Sequence, residues 1–301
     1  MEAFPAREVV DQLLQLSLSG LATGSIYALI ALGFVTIYNV TGIINFAQGE
    51  FAMLGAMALI ALGPLGLPLP LAIAAAVGLV TFVGAGMERL TIHPARQAST
   101  VTLIIITIGV DIALRGLGLL LWGTDPYTIA PFTPGPPVRV GAAVITRQGL
   151  WILGTTAALL VVLWLFFMYS YRGKVLRACA INPLSARLSG IRPDRMSLVA
   201  FSLSAGLGAI GGIVMAPVTL ASYDMGLSLG LRGFVAAIMG GLTNPAGAVV
   251  GALLLAVLEN IAAGVFRAAY KEAVAFLVLF LILLVRPQGI FGPGGAARGG
   301  L

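Results

Sequence analysis

Two opposite charges inside an otherwise apolar run are the residues of this chain best placed to do chemistry. Asp111 and Arg115 are four positions apart in the sequence VTLIIITIGVDIALRGLGLLLW. On a helix, residues at that spacing share one face and can neutralise each other. Two interpretations remain open: a structural ion pair between helices, or a gate or contact for a solute. Both interpretations require a helix that places charged side chains in apolar surroundings.

A polar interruption between two apolar runs is the second candidate site. Residues 39–50 read NVTGIINFAQGE and place Asn45, Gln48 and Glu50 where lipid offers the backbone no hydrogen-bond partner. Such a break survives at membrane depth where it lines a water-filled path or where neighbouring helices satisfy it. Our working hypothesis is that it borders a transport pathway, and a packed kink is the alternative.

Glu50 lies beside this break and has no opposite charge within a helical turn. Three roles fit it: a protonated acid, a partner for a charge on another helix, or a cap of the helix that starts near Phe46. A carboxylate at a helix N-terminus interacts favourably with the helix dipole. We therefore expect Glu50 to act as a cap.

A second interrupted segment resembles the first. The sequence GLTNPAGAVVGA at 241–252 matches the opening of GIINFAQGEFAMLGA, with Asn244 in the place of Asn45 and Ala246 in the place of Ala47. Paired interruptions in two halves of a transporter indicate a binding site or pathway. A parallel repeat and a chance match in glycine-rich membrane sequence both fit this similarity.

Membrane-spanning helices must carry these residues. The chain has 59 % hydrophobic and 9 % charged residues and a mean hydropathy of +1.04, too little polar surface for a water-soluble globule. Its apolar runs are unbroken and long enough for spanning helices, which need roughly 20 residues. We predict one all-α domain, residues 1–301, that is a polytopic integral membrane protein with about eight to nine membrane segments including broken or re-entrant helices.

The predicted segments are 13–38, 44–62, a run ending near Met87, 101–121, 150–169, 198–216, 229–239, 246–265 and a run ending at Val285. Residues 171–196 hold six of the 17 basic residues of the chain, so the positive-inside bias makes this loop cytoplasmic. Counting back from it puts the acidic N-terminus outside. The segment 229–239 is too short to span comfortably and fits a re-entrant half-helix.

The basic loop also contains signals for a short helix. Asn182 suits an N-cap, Pro183 the first helical position and Gly190 the stop. We expect this helix to lie at the cytoplasmic surface. Its candidate contact residues are Leu184, Arg187 and Leu188.

The sequence gives no support for catalysis by the chain itself. It contains no GxxxxGK[ST] phosphate loop, and its only lysines are Lys174 and Lys271. His93 and Cys179 are its only histidine and cysteine, so a His-paired nucleophile and a His/Cys metal site both lack parts. We expect no catalytic residue, no bound metal and no cofactor.

Four stretches carry a family resemblance, and they cover most of the chain. They are NVTGIINFAQGEFAMLGA at 39–56, ERLTIHPARQASTVTLIIITIGVDIALRGLGLLLWG at 88–123, RACAINPLSARLSGI at 177–191 and FVAAIMGGLTNPAGAVVGALLLAVLEN at 234–260. With these motifs the chain resembles the LivH-type permease subunit of branched-chain amino acid ABC importers.

The resemblance implies a subunit of the cell inner membrane that forms a translocation path for branched-chain or related small amino acids. It implies a second permease subunit, homologous or identical, two cytoplasmic ATPase subunits that bind and hydrolyse ATP, and an extracytoplasmic substrate-binding protein. Membrane lipid would surround the subunit, and no nucleic acid is expected.

With that resemblance, Asp111 and Arg115 become candidate contacts for the zwitterionic head of an amino acid. The short helix of the basic loop becomes a coupling helix in a groove of an ATPase subunit, and the alternative is a basic loop that anchors to anionic lipid. The predicted pathway residues are Asn45, Gln48, Glu50, Asp111, Arg115 and Asn244. The predicted ATPase-coupling residues are Asn182, Leu184, Arg187, Leu188 and Gly190.

A different class of function also fits the sequence. A free-standing secondary transporter or channel for a small solute could carry its coupling proton on Glu50, Asp111 or Glu259. Transport that needs ATP, ATPase subunits and a binding protein would separate the two classes, because the alternative needs only a proton gradient.

Overall fold

The computed structural model describes residues 6–265 and 271–292. Within these ranges the chain forms eleven α-helices and one small β-hairpin. The helices are α1 (Ala6–Thr41), α2 (Gln48–Leu62), α3 (Leu69–Met87), α4 (Thr100–Trp122), α5 (Arg147–Tyr169), α6 (Tyr171–Ile181), α7 (Pro183–Leu188), α8 (Pro193–Met215), α9 (Met225–Gly240), α10 (Pro245–Val265) and α11 (Lys271–Val285). The strands are β1 (Val138–Val140) and β2 (Ala143–Ile145).

Seven of the described helices are long and apolar enough to cross a membrane, namely α1 to α5, α8 and α10. The shorter apolar helices α9 and α11 raise the total to nine, and each of the nine overlaps one predicted segment. The prediction of an all-α polytopic membrane fold is therefore confirmed. The prediction succeeded because a backbone in lipid must satisfy its own hydrogen bonds, and an α-helix does so within one long apolar run.

The core of the fold is built around α1. This helix packs along α8, α9 and α10, and α2 packs between α8 and α9. In its most apolar 18-residue window, 83 % of the α1 residues are buried inside the chain, whereas the corresponding shares are 22 % for α4 and 17 % for α5. α1 is thus an internal helix, and α4 and α5 present most of their apolar surface outwards.

Glycines allow the inner helices to approach each other closely. A Cβ atom at Gly49 of α2 would overlap the carbonyl oxygen of Gly226 in α9, and one at Gly212 of α8 would overlap the carbonyl oxygen of Ala52 in α2. Small residues permit this backbone contact, which is how helices gain packing energy where no hydrophobic force draws them together.

The connection between α4 and α5 contains the hairpin that the sequence did not predict. β1 and β2 pair antiparallel around Gly141, which has a φ of +64°. Gln15 of α1 binds the hairpin by donating to the backbone oxygen of Val144 at 2.9 Å and accepting from its nitrogen at 2.7 Å. We call this end of the bundle the hairpin end and the opposite end the α7 end.

The basic loop 171–196 is more ordered than predicted. It contains α6 as well as the expected short helix, and α8 begins at Pro193, five residues before the predicted start of its segment at 198. α6 escaped prediction because its basic residues hide the apolar periodicity. Its start is nevertheless a regular cap, since the Ser170 hydroxyl accepts a hydrogen bond from the Gly173 nitrogen at 2.9 Å.

Candidate transport site

Asp111 and Arg115 form the expected ion pair near the middle of α4. An Arg115 Nη2 donates to Asp111 Oδ2, so the four-residue spacing acts as predicted. A third charge, Glu50 of α2, joins them, with its Oε1 3.5 Å from Arg115 Nε. Asp111 is buried and the Glu50 side chain is fully buried, while a quarter of the Arg115 side chain is exposed. We call these three residues the peripheral cluster.

Glu50 lies in the first turn of its helix, where its charge favours the helix dipole, but it makes no capping hydrogen bond. α2 begins at Gln48 with Ala47 at its N-cap, and no side chain accepts a hydrogen bond from the first turn. Glu50 lies in that turn but contacts Arg115 on α4 instead. The physical reason is that a fully buried carboxylate gains more from a nearby guanidinium than from the partial charge of a helix end.

The first break is held by polar contacts to neighbouring helices. The Asn45 Oδ1 accepts from the Ala47 nitrogen at 3.2 Å, and the Phe46 nitrogen donates to Thr107 Oγ1 of α4 at 3.2 Å. Gln48 Nε2 donates to the Ser204 carbonyl oxygen of α8 at 3.2 Å. Asn45 and Gln48 are fully buried in this conformation. These contacts supply partners that lipid would not, although the buried Asn45 Nδ2 makes no hydrogen bond to the described residues.

The second break has a related local geometry. Gly42 and Gly241 both have a positive φ, +70° and +110°, and each precedes its asparagine by three residues. Asn244 Oδ1 accepts from the Gly247 nitrogen at 3.1 Å and so caps α10 directly, whereas Asn45 precedes the start of α2 by three residues. The two breaks also touch, because Asn39 Nδ2 donates to the Thr243 oxygen at 3.4 Å.

The structure contains a second group of interacting polar and charged residues, which the sequence analysis did not predict. The Tyr27 hydroxyl of α1 donates to Glu259 Oε2 of α10 at 2.9 Å, and Arg232 Nε of α9 lies 3.9 Å from Glu259 Oε1. The Arg232 guanidinium carbon is 5.9 Å from the centre of the Tyr27 ring. We call these three residues the central cluster. Arg232 could have indicated this cluster from the sequence, because an arginine in an apolar run requires a partner.

The two clusters meet at one cavity of about 450 Å³ between α4, α9 and α11. Arg115 reaches it from the peripheral cluster and Arg232 from the central cluster, with 25 % and 20 % of their side chains exposed. The rest of the cavity wall on the α9 side consists of Asp224, Ser228 and the apolar side chains of α9. The cavity therefore combines two guanidinium groups and one carboxylate with an apolar surface.

At the α7 end, the short helix has the predicted caps. Asn182 Oδ1 accepts from the nitrogens of Leu184 and Ser185, both at 3.0 Å, and Gly190 leaves the helix with a φ of +81°. Leu184 and Leu188 are 67 % and 83 % exposed. The helix and its caps are thus confirmed, and its two leucines form an apolar ridge that no described part of the chain covers. Arg187 is exposed as well.

Cys179 lies on α6, the helix before α7. Its side chain is fully buried, and burial raises the pKa of the thiol above its usual range. Such a thiol reacts poorly with thiol reagents because the reactive form is the thiolate. In the part of the chain that the structure describes, no group of three or more His, Cys, Asp or Glu residues could hold a metal ion.

Seven helices that could span a membrane, with ion pairs buried between helices, are typical of a polytopic membrane protein. The family described as "Branched-chain amino acid transport system / permease component" matches residues 16–283, and the chain belongs to this family. It is therefore a membrane permease and one component of a transport system.

Individual proteins agree with this assignment. The chain is 32 % identical to the high-affinity branched-chain amino acid transport system permease protein LivH of Escherichia coli, covering 93 % of this chain and 95 % of LivH. It is also 32 % identical to BraD of Pseudomonas aeruginosa, a permease protein of the same description, with the same coverage. A solved structure titled PsaBC from Streptococcus pneumoniae in complex with Fab has a similar fold, with a TM-score of 0.52 and 14 % identity over 94 % of this chain and 97 % of that one.

Proposed function

We propose that this chain is the permease subunit of an ABC importer for branched-chain or related small amino acids in the cell inner membrane. The observation that carries the proposal is its 32 % identity to LivH and BraD over nearly the whole chain, since both are named for that solute class. The arginine-bearing cavity supports it, because an amino acid offers a carboxylate for a guanidinium and an aliphatic part for an apolar wall.

The proposed assembly contains a second permease, homologous or identical to this one, two cytoplasmic ATPases and an extracytoplasmic substrate-binding protein. ATP is bound and hydrolysed by the ATPases, because this sequence has no phosphate-binding loop. The ridge of Leu184 and Leu188 on α7 docks in an ATPase groove, with Arg187 near its rim. Asn182 and Gly190 fix the length of the helix that carries this ridge.

We assign the pathway residues different roles. Arg115 lines the cavity directly, and Asp111 and Glu50 position it. Asn45 and Gln48 hold the first break and Asn244 holds the second, so these three residues set the helix ends that move during transport. The hydrogen bond from Asn39 to the Thr243 oxygen supports a linked movement of the two breaks.

Uptake by reconstituted vesicles tests the proposal. The chain, its neighbouring permease, the ATPases and the binding protein are placed in proteoliposomes, and radioactive leucine is followed with and without internal ATP. We expect uptake only when ATP and all components are present. Leucine uptake driven by a proton gradient with this chain alone would overturn the proposal in favour of a secondary transporter.

The ATPase contact has its own test. Leu188→Glu should reduce ATPase co-purification and the ATP hydrolysis that the binding protein stimulates, because it would bury an uncompensated charge in the groove. Leu184→Glu should act in the same way. Arg172→Gln is the matched control on α6, outside the ridge. If both leucine variants kept their ATPases and full stimulation, the ridge would instead be part of a lipid-facing anchor.

A further inference from the structure

A groove of about 600 Å³ lies between α5 and α10, in the half of the bundle next to the α7 end. Both helices pack against α1, which forms the floor of the groove, but they hardly touch each other. The walls come from residues 32–40 of α1, 160–168 of α5 and 245–249 of α10. The groove therefore runs along the helices from the α7 end for roughly 12 Å, the length of the α5 segment.

Most of the groove surface is apolar. Its side chains include Leu32 and Val40 of α1, Leu163 and Phe167 of α5, and Val249 of α10. α5 presents most of its apolar surface outwards, which places the open side of the groove against the hydrocarbon layer. Inside a bilayer, apolar groups are held together by van der Waals packing, because no hydrophobic force acts between them. The hydrocarbon chain of a lipid fits such a groove.

The α7 end of the groove is positively charged. Arg177 of α6 is the one charged residue among the described residues that line it. The Arg177 Nη1 donates to the Met168 sulfur at 3.5 Å, and a thioether is a weak acceptor. Arg172 and Lys174 are exposed on the same helix. Residues 126–193 contain neither Asp nor Glu, so α5, α6 and α7 offer these cations no carboxylate.

Carboxylates of the neighbouring elements do not balance this charge. The acidic residues of α1 lie in its first two turns, at the hairpin end. Glu259 of α10 belongs to the central cluster. At the α7 end, Asp194 is paired with Arg96. Glu88 is buried there, with its Oε1 3.9 Å from His93 Nδ1. The basic surface of α6 therefore complements an anionic group.

We propose that this groove binds an anionic phospholipid of the cytoplasmic leaflet, with an acyl chain between α5 and α10 and the phosphate on Arg177. A guanidinium binds a phosphate through two parallel hydrogen bonds. Basic pockets between membrane helices on the cytoplasmic side suit anionic headgroups, and the positive-inside bias puts the α7 end on that side. The inference does not depend on which solute the permease transports.

The bound lipid touches both breaks. Thr243 and Asn244 of the second break line the groove, and so does Asn39, which donates to the Thr243 oxygen. An acyl chain in the groove therefore adds contacts to the helix ends in this conformation. Because a ligand stabilises the state that binds it, we expect the lipid to favour this arrangement of the two breaks.

Lipid binding to the full-length chain, purified in mild detergent with the subunits that accompany it, tests the site. The preparation is titrated with phosphatidylglycerol or with phosphatidylcholine of the same acyl chains, and native mass spectrometry gives the affinity of each bound lipid. We expect the tightest phosphatidylglycerol to bind about tenfold more tightly than phosphatidylcholine, because its headgroup is anionic and the site is basic. Equal affinities would overturn the proposal.

Two substitutions assign the tight binding to this groove. Arg177→Gln should weaken phosphatidylglycerol binding about fivefold, the contribution of one basic residue near the membrane surface, and leave phosphatidylcholine binding unchanged. Arg172→Gln is its control, because Arg172 is exposed on the same helix outside the groove. Ala246→Trp should weaken the binding of both lipids, because the indole fills the groove. Its control is Ala157→Trp, at an exposed position of α5 outside the groove.

The remaining outcomes decide between a lipid and other occupants. Equal losses for Arg177→Gln and Arg172→Gln, or full lipid binding by Ala246→Trp, would overturn the groove as the site. Displacement of the lipid by glycerol phosphate would assign Arg177 to a soluble phosphate instead. Loss of the tight site whenever ATPase subunits accompany the chain would make Arg177 part of that contact and overturn the lipid assignment. Should Arg177→Gln fail to assemble, the comparison of Ala246→Trp with Ala157→Trp decides.

Discussion

The peripheral and central clusters both hold buried charged groups, but they contain different numbers of carboxylates. The peripheral cluster joins two carboxylates, Glu50 and Asp111, to one guanidinium between α2 and α4. The central cluster joins one carboxylate, Glu259, to one guanidinium and one phenol among α1, α9 and α10. Helices in lipid tolerate charges only in such groups. The difference predicts which member of each cluster can be removed.

In the peripheral cluster, with two carboxylates and one guanidinium, loss of Arg115 should destabilise the subunit strongly. Loss of either carboxylate should destabilise it less. Removing Arg115 leaves two buried carboxylates side by side, but removing Glu50 leaves a balanced pair on α4. The central cluster has one carboxylate, Glu259, so its loss removes the negative charge that Arg232 and the Tyr27 hydroxyl face. Breaking a buried pair costs about 3–5 kcal/mol, because an uncompensated charge stays buried.

The largest effect is expected for Arg115→Ala. Its free energy of unfolding should fall by about 4–5 kcal/mol, at the upper end of the cost of a broken buried pair, because both Glu50 and Asp111 lose their counter-charge. Thermal unfolding of the detergent-solubilised subunit would measure the loss. The exchange Asp111→Arg with Arg115→Asp should restore part of it, since the pair is kept. A stable Arg115→Ala subunit that only fails to transport would show that the cluster is not structural.

Glu259→Gln should have the next largest effect. It removes the buried charge that Arg232 and the Tyr27 hydroxyl face and keeps the size of the side chain, so we expect a loss of about 3 kcal/mol. The readout is again the unfolding temperature, together with the monodisperse fraction on size exclusion. Tyr27→Phe is the companion variant, and it should cost about 1.5 kcal/mol, the lower end for a hydrogen bond to a charged group. A smaller loss for Glu259→Gln than for Tyr27→Phe would show that the charge of Glu259 does not stabilise the central cluster.

Glu50→Gln should cost little, about 1 kcal/mol or less, because it removes one of two like charges and leaves Asp111 paired with Arg115. The decisive comparison is with Glu259→Gln, which makes the same chemical change at an equally buried glutamate. Both variants are unfolded under identical detergent conditions. Equal losses would mean that the two-to-one ratio has no energetic consequence.

The smallest effect is expected for Asp194→Asn. Arg96 Nη1 lies 2.9 Å from Asp194 Oδ2, but 50 % and 45 % of these side chains are exposed. Exposed pairs contribute about 0.2–1 kcal/mol and weaken with salt. The unfolding temperature should therefore barely change, and less so at high salt. A loss as large as that of Glu259→Gln would show that this pair is enclosed when the partner subunits are bound.

The predictions from sequence agree best with the structure where lipid or local residue spacing determines the conformation. The spanning helices, the Asp111–Arg115 pair and the caps of α7 at Asn182 and Gly190 all depend on local spacing or on unbroken apolar runs, so the sequence contained them. The central cluster did not follow from the sequence, because Tyr27 and Glu259 are 232 positions apart and only the packing of α1 on α10 joins them.

The partner of Glu50 could not be predicted for the same reason. Its local position at a helix start favoured a cap, and the competing arginine belonged to a helix with no sequence link to α2. The β-hairpin was missed because its strands have three residues each, too short to give an alternating pattern. Tertiary contact, rather than local preference, decided each of these cases.

The length of α1 has a mechanical consequence. Its 36 residues make a rod of about 54 Å, longer than the ~30 Å hydrocarbon layer, and no proline or break interrupts it between the hairpin end and the first break. Gln15 near its start holds the β-hairpin and Asn39 near its end contacts the second break, so one continuous helix connects these two distant contacts.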